Sequence, residues 1–321
     1  MKKFFIKLII FCLPLVLLAV LSFVFFRVYG GRQVVMNELY AKIRAIVPSG
    51  NKPDVIIAGD SRASLNLDPK AFNVAGSPRV VNIATRAGYI SDVAIALRQF
   101  NITKPNTLVI VSVSYFEVND EAWKGVSLPP SMYSRLGFFD EIKSFNNKFD
   151  AWYQSYADFW ALFIRQRILR NGFVPTYENS GFEPEQGIMA LPVPQEDLKN
   201  HPWYNPSVFP GWKWEAFKDA LKDLASSGNQ IVIYSAPPDP AWKKITQGTA
   251  IAGEEELFSK KLNEEVSKYP NVHFLDLYHE NFPGLIDADY YDTDHLNSAG
   301  AEIFSKLFVQ NLTAKGLLPI R

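Results

Sequence analysis

Asp54-Val55-Ile56-Ile57-Ala58-Gly59-Asp60-Ser61-Arg62 is an apolar run that ends in a glycine and opens at once into polar residues. Val55 to Ala58 is apolar at every position, as expected of a strand buried on both faces in a parallel sheet. Ser61 follows the strand directly, which predicts its hydroxyl at the carboxyl end of the sheet, where open α/β proteins bind and react with ligands. Strand and helix patterns alternate on either side of a middle stretch. First come a strand at Val80 to Ala84, a helix near Ser91 to Phe100 and a strand at Leu108 to Ser114. Beyond the middle stretch lie a helix at Lys213 to Ala225, a strand at Gln230 to Tyr234, a helix at Glu254 to Lys268, a strand at Val272 to Leu277 and a closing helix carrying Ile303, Phe304, Leu307 and Phe308. This alternation predicts an α/β fold, a parallel sheet covered by helices.

A second short block, Asp292-Thr293-Asp294-His295-Leu296-Asn297, lies near the other end of the chain. A serine hydroxyl is a poor nucleophile near neutral pH until an imidazole takes its proton, and the imidazole needs a carboxylate to set its tautomer and stabilise its charge. Ser61, His295 and Asp292 supply those three groups, which points to esterase or acyl-transfer chemistry. Asp294 competes with Asp292 for the orienting role, but its adjacency to His295 predicts a side chain pointing elsewhere. The other histidines, His201, His273 and His279, have no such companion block, and His273 sits in the strand-like Val272 to Leu277. Taken alone, a Gly-Asp-Ser also reads as a turn. The chain order of strand, serine, distant Asp-x-x-His and terminal helix separates the two readings.

Gly59-Asp60-Ser61 and Asp292-Thr293-Asp294-His295, with the lead Leu296-Asn297-Ser298-Ala299-Gly300 into the last helix, resemble the opening and closing blocks of SGNH (GDSL-type) hydrolases. Asn297 or Ser298 is the expected cap of that helix. The likeness covers most of residues 53 to 315. It implies a three-layer, flavodoxin-like α/β domain over 53–321 with an insertion at about 115–210. The family stabilises the developing oxyanion with a glycine N–H and an asparagine side chain. In Val80-Val81-Asn82-Ile83-Ala84-Thr85-Arg86-Ala87-Gly88, alanine stands at Ala84 where the family has glycine. After the third strand stands Tyr115-Phe116-Glu117, with Asn119-Asp120 several residues late. The donors expected from the resemblance are Ser61, Ala84 or Thr85, and Asn119. Arg62 and Asn82 are assigned to substrate contact, with a surface salt bridge as the other reading of Arg62.

Leu8 to Phe26 is an apolar run of 19 positions preceded by Lys2, Lys3 and Lys7, the length and charge flank of a membrane-crossing helix with a cytoplasmic amino terminus. A cleaved signal peptide is the alternative. The expected organisation is an anchor at 1–30, an amphipathic helix and linker at 31–52 with the helix over Gln33 to Val47, and the outer domain beyond. The sole cysteine, Cys12, falls in the apolar run, so the outer domain holds no internal disulfide. A formal net charge of zero over 321 residues argues against nucleic-acid binding through a broad basic surface. Without a Cys cluster or a His-Glu-x-x-His, neither a metal nor a cofactor is expected.

The middle stretch, about 115–210, predicts a helical pair around Phe138 to Arg170 and a proline-rich loop from Val174 to Pro210. Many of the aromatic residues lie there, among them Trp152, Tyr153, Phe159, Trp160 and Phe163. A connection this long is expected to roof the active site, bind polymer or dock a membrane partner. Its rings suit either core packing or stacking on sugars. The resemblance extends to membrane-anchored relatives that act in polysaccharide O-acetylation and teichoic-acid D-alanylation. It implies an acyltransferase of the bacterial inner membrane with its domain in the periplasm, beside a multi-span membrane-bound O-acyltransferase. The competing readings are a periplasmic esterase or deacetylase that uses water, and a non-catalytic assembly or polysaccharide-binding subunit.

Overall fold

Five strands lie side by side in the order β2-β1-β3-β4-β5, all parallel. The structure is a computed structural model that describes residues 2–30, 38–47, 51–73, 78–122, 156–157, 159–161, 164, 181–187, 204, 207–280, 282 and 284–318. In chain order the elements are α1 (Lys2–Gly30), α2 (Glu38–Ile46), β1 (Val55–Ala58), α3 (Ser61–Asn66), β2 (Val80–Asn82), α4 (Ile90–Phe100), β3 (Leu108–Ser112) and α5 (Tyr115–Val118). They continue with α6 (Trp212–Ala225), β4 (Gln230–Ser235), α7 (Pro240–Thr246), α8 (Ala250–Val266), β5 (Val272–Asp276) and α9 (Ser298–Ala314). The α/β expectation therefore holds. The helical pair expected around Phe138 to Arg170 lies largely outside the described residues.

Strand periodicity explains the layers. Successive side chains point to opposite faces, so Ile56, Ala58, Val109, Val111, Ile231 and Ile233 pack with α2, α4, α6 and α8. Their neighbours Val55, Ile57, Leu108, Ile110, Val232 and Tyr234 pack with α3 and α9 on the other side. Both faces are dry, as the continuous apolar runs require. Register decides where the site forms. Ile57 stands level with Asn82 and Ile110, and Ala58 with Val111. The segments that leave β1, β2 and β3 thus emerge together at one edge.

α2 adds a buried cation to that edge. Lys42 is fully buried, and its Nζ donates to Ser64 Oγ at 3.2 Å and to the Ala84 carbonyl at 2.7 Å. Desolvation lowers its pKa, with Glu183 and Glu38 opposing. The linker helix is thereby joined to α3 and to the segment that follows β2.

α1 is one helix through Pro14. Among the described residues, however, no helix is long and apolar enough to cross a membrane. The expected transmembrane helix is corrected to that extent. Ile10, Phe11, Leu13, Leu18 and Val24 on α1 are nonetheless exposed. At its end Phe26 is buried against Tyr156 and Phe159, in a cluster that also holds Tyr89 and Ala216. Those rings of the middle stretch therefore serve packing.

Candidate active site

Ser61 opens α3, capped by Asp60, whose Oδ1 accepts from the Arg62 N–H at 3.0 Å. The turn before it is tight. Gly59 has φ +107°, a region that glycine alone enters without strain, and a Cβ at Gly88 would lie 2.1 Å from the Gly59 carbonyl oxygen. Two glycines in contact thus bring the β1 and β2 exits together. Ser61 N–H, first in the helix, is one of the donors that no intrahelical carbonyl can reach.

The histidine arrives from a loop 234 positions downstream, and its outer nitrogen, Nε2, lies 2.7 Å from Ser61 Oγ. On the other side Nδ1 lies 2.9 and 2.8 Å from the two carboxylate oxygens of Asp292. Asp292 Oδ1 also accepts the His295 and Asp294 backbone N–H groups at 2.8 and 3.0 Å. The carboxylate therefore shapes the loop as well as the ring. What aligns this loop with α3 is Asn66, fully buried, whose Oδ1 accepts the Leu296 N–H at 2.9 Å. Asn297 then caps α9, accepting from Ala299 and Gly300 at 3.1 and 3.0 Å.

Ser61, Asp292 and His295 share a cleft of about 340 Å³ whose apolar lining includes Leu65, Ala87 and Phe116. Tyr291 lines it too, and Arg86 and Glu185, paired at 2.5 Å, stand on its wall. The Glu185 backbone bridges Asn297, so part of the middle stretch does reach the site. Burial disfavours a charged imidazole, but the negative charge of Asp294 and the bond to Asp292 outweigh it and raise the pKa of His295. Burial likewise opposes the charge on Asp292, yet its bond to His295 holds the carboxyl well below its usual range. A carboxylate, an imidazole ready to take a proton and a hydroxyl in line are the requirements of nucleophilic acyl transfer.

Other expected site residues are placed elsewhere. The Ala84 N–H donates to Asn82 Oδ1 at 3.0 Å, and the Thr85 N–H to the Gly59 carbonyl at 3.1 Å. Both are used within the fold. Asn82, fully buried, gives its amide to the Ala63 and Leu67 carbonyls and does not line the cleft. Asn119 is buried at the end of α5, its carboxamide oxygen accepting from Glu121 and Val208. Of the four expected oxyanion donors, Ser61 alone lines the cleft.

Arg62 is neither at the surface nor in the cleft. It is 2.7 Å from Asp294 Oδ2 and 3.6 Å from Asp60 Oδ2, with its guanidinium 5.5 Å from the centre of the Phe116 ring. Asp294 does not point away from His295, because its other oxygen lies 3.4 Å from Nδ1. Asp292, Asp294 and His295 thus present metal-ligand atom types within 4.8 Å of one another. The Arg62 cation on Asp294 and the Ser61 hydroxyl on the imidazole occupy that set and disfavour a metal ion there.

His279 has a companion after all. Its Nδ1 lies 3.0 and 2.8 Å from the oxygens of Asp276, three residues earlier. The nearby Ser259 and Ser235 hydroxyls bond Asp276 rather than the imidazole. A second Asp-x-x-His was visible in the sequence, but only coordinates show which one meets a serine.

No family model and no curated protein matches the chain. Among solved structures it is similar to a protein from Streptococcus pneumonia provisionally named a platelet activating factor, at 11% identity over 85% of this chain and 90% of that one, with a TM-score of 0.39. It is also similar to a protein from Bacteroides fragilis provisionally named an acylhydrolase, at 11% identity over 87% and 95% of the two chains and the same TM-score.

Proposed function

We propose that this chain is a serine enzyme of acyl-ester chemistry, acting from the outer face of a membrane. The observation that carries the reading is the 2.7 Å contact of Ser61 Oγ with His295 Nε2, with Asp292 on the opposite ring nitrogen. Ser61 attacks the acyl carbonyl while His295 takes the hydroxyl proton. The negative charge that develops on the carbonyl oxygen faces the Ser61 N–H. Collapse expels the alkoxide, which leaves with the proton from His295, and the acyl group stays on Ser61. A second hydroxyl, from water or from an acceptor, then loses its proton to His295 and bonds the acyl carbon, and as the bond to Ser61 breaks His295 returns the proton to Ser61 Oγ.

The finer reading is O-acetyl transfer to a cell-envelope polysaccharide, with the acyl group supplied by a multi-span membrane O-acyltransferase. Its support is the resemblance of the two sequence blocks and the exposed apolar side chains of α1, since apolar surface on that scale marks a contact with lipid or a partner. On this reading the chain works at the bacterial inner membrane and the domain is periplasmic. Water as acceptor makes the same site an esterase. A non-catalytic role is disfavoured by the intact contact between serine and imidazole.

A serine-directed aryl phosphonate is expected to label the purified chain once, on the peptide carrying Ser61. Labelling should fade as pH falls through the pKa of His295, because only neutral imidazole accepts the serine proton. That pKa is raised above the ordinary histidine value, so the loss begins at a higher pH than for a free imidazole. Mass spectrometry that finds the label elsewhere, or finds none, removes the assignment. A reporter fused after Arg321 should be active only if exported; cytoplasmic activity there would reverse the topology.

A further inference from the structure

Four charged side chains and an imidazole that can take up a proton form one row through the site. Asp60 accepts from the Ser112 hydroxyl at 2.5 Å and from the Ser114 hydroxyl. Its Oδ2 faces Arg62 Nη1, while Nη2 of the same guanidinium reaches Asp294 Oδ2 at 2.7 Å. Asp294 Oδ1 is 3.4 Å from His295 Nδ1, whose hydrogen-bonding partner is Asp292 at 2.8 Å. At 3.4 Å, Asp294 contributes charge rather than the ring's main hydrogen bond.

Resting on the serine-enzyme reading, we propose that Asp294 is a second carboxylate on His295, held in place by Arg62, so that a fork of two carboxylates orients and charges the imidazole. Arg62 and Asp294 are then positioning residues. A buried ion pair is weak support for stability in itself, because desolvation offsets much of the attraction. This one lies against the base of the site. Arg62 and Asp294 are nearly buried, at 11% and 10% side-chain exposure, which keeps water from screening their charges. Among the described residues, Tyr204, Tyr278, Tyr234 of β4 and Glu255 of α8 also lie near Arg62. Glu117 of α5, buried and with its pKa pushed up by burial and then by Asp60, lies near the same cation. None of these approaches the imidazole as Asp294 does. A nearby negative charge favours the protonated ring, the form that exists while the tetrahedral intermediate stands. The pair also explains an Arg directly after the serine: through Asp294 it couples the start of α3 to the histidine loop.

The test is the titration of His295 itself, followed by NMR in the full chain in detergent micelles with labelled histidine. Four histidines are present, and His295→Gln identifies the resonance. Asp294→Asn is expected to lower the midpoint by about one pH unit, a tenfold loss of proton affinity. Because that variant leaves Arg62 with a single carboxylate and could fail to fold, Arg62→Gln/Asp294→Asn is measured alongside. It removes both charges and is expected to lower the midpoint by a smaller amount in the same direction. Midpoints that stay within about 0.2 of wild type in the folded variants overturn the proposal. The readout needs no turnover. A shifted titration in a protein that no phosphonate labels would sink the serine-enzyme reading and leave the carboxylate fork standing, while normal labelling with an unmoved titration would do the reverse.

Discussion

Ser61→Ala and His295→Ala are each expected to reduce hydrolysis of an aryl acetate by roughly 10⁴-fold or more, to a residue owed to binding and backbone donors alone. The expected size follows from the 2.7 Å contact between Ser61 Oγ and His295 Nε2. Without the hydroxyl no acyl-enzyme forms, and without the imidazole the hydroxyl keeps its proton. Folding should survive both changes. Ser61 stands at the start of α3, where its hydroxyl supports no cap, because the cap is Asp60. Losing one neutral hydrogen bond costs only about 1 kcal/mol. Initial rates on the purified chain, compared with thermal melts of the same samples, separate chemistry from stability. Near-wild-type rates in either variant would end the assignment.

Gly59→Ala is expected to destabilise the domain strongly. Its φ of +107° is closed to an alanine without strain, and the added Cβ would sit 2.5 Å from the Ser112 carbonyl oxygen and 2.8 Å from the Ser112 backbone nitrogen. Backbone on both sides leaves nothing flexible to give way. Left-handed backbone costs about 1–2 kcal/mol for a residue with a side chain, and overpacking about 1–3 kcal/mol more. A sum of about 2–5 kcal/mol is a large share of the 5–15 kcal/mol typical of a domain. Gly228→Ala is the control, since Gly228 also has positive φ, +74°, but nothing lies within 4 Å of a Cβ there. Denaturant unfolding should show Gly59→Ala losing at least about 1 kcal/mol more than Gly228→Ala. Equal losses would mean that the β1 exit is looser than its contacts imply.

Much of the fold could be read before any coordinates. Apolar runs such as Val55–Ala58 and Leu108–Ser112 have few fates other than a doubly covered strand, and all five strands stand where those runs lie. Boundaries were less legible. α8 begins at Ala250 rather than Glu254, because Gly253 in its first turn and the cap residue Thr249, whose hydroxyl bonds the Thr246 carbonyl instead of capping the helix, hide the start. α7 was overlooked although Asp239-Pro240 is a proper cap followed by a first-turn proline.

The site divides in the same way. Ser61, Asp292 and His295 were legible because nucleophilic catalysis restricts residue types so strongly that two short blocks suffice. Asn66, which ties α3 to the histidine loop, carried no signal, since an asparagine in a short polar helix resembles any other. Ala84 and Thr85 looked like donors because position in a block cannot show that an N–H is already bonded, here to Asn82 and Gly59.

By itself, then, the chain's order of residues determined the alternation of strands and helices and the identity of the candidate site groups, because both depend on local periodicity and on intrinsic side-chain chemistry. Only the tertiary structure decided which Asp-x-x-His meets the serine, that Arg62 turns inward to Asp294, and which backbone donors stay unspent. Those outcomes are set by distances of a few ångströms between segments up to 234 positions apart, and hydrogen bonds and buried charges are gained or lost over just such distances.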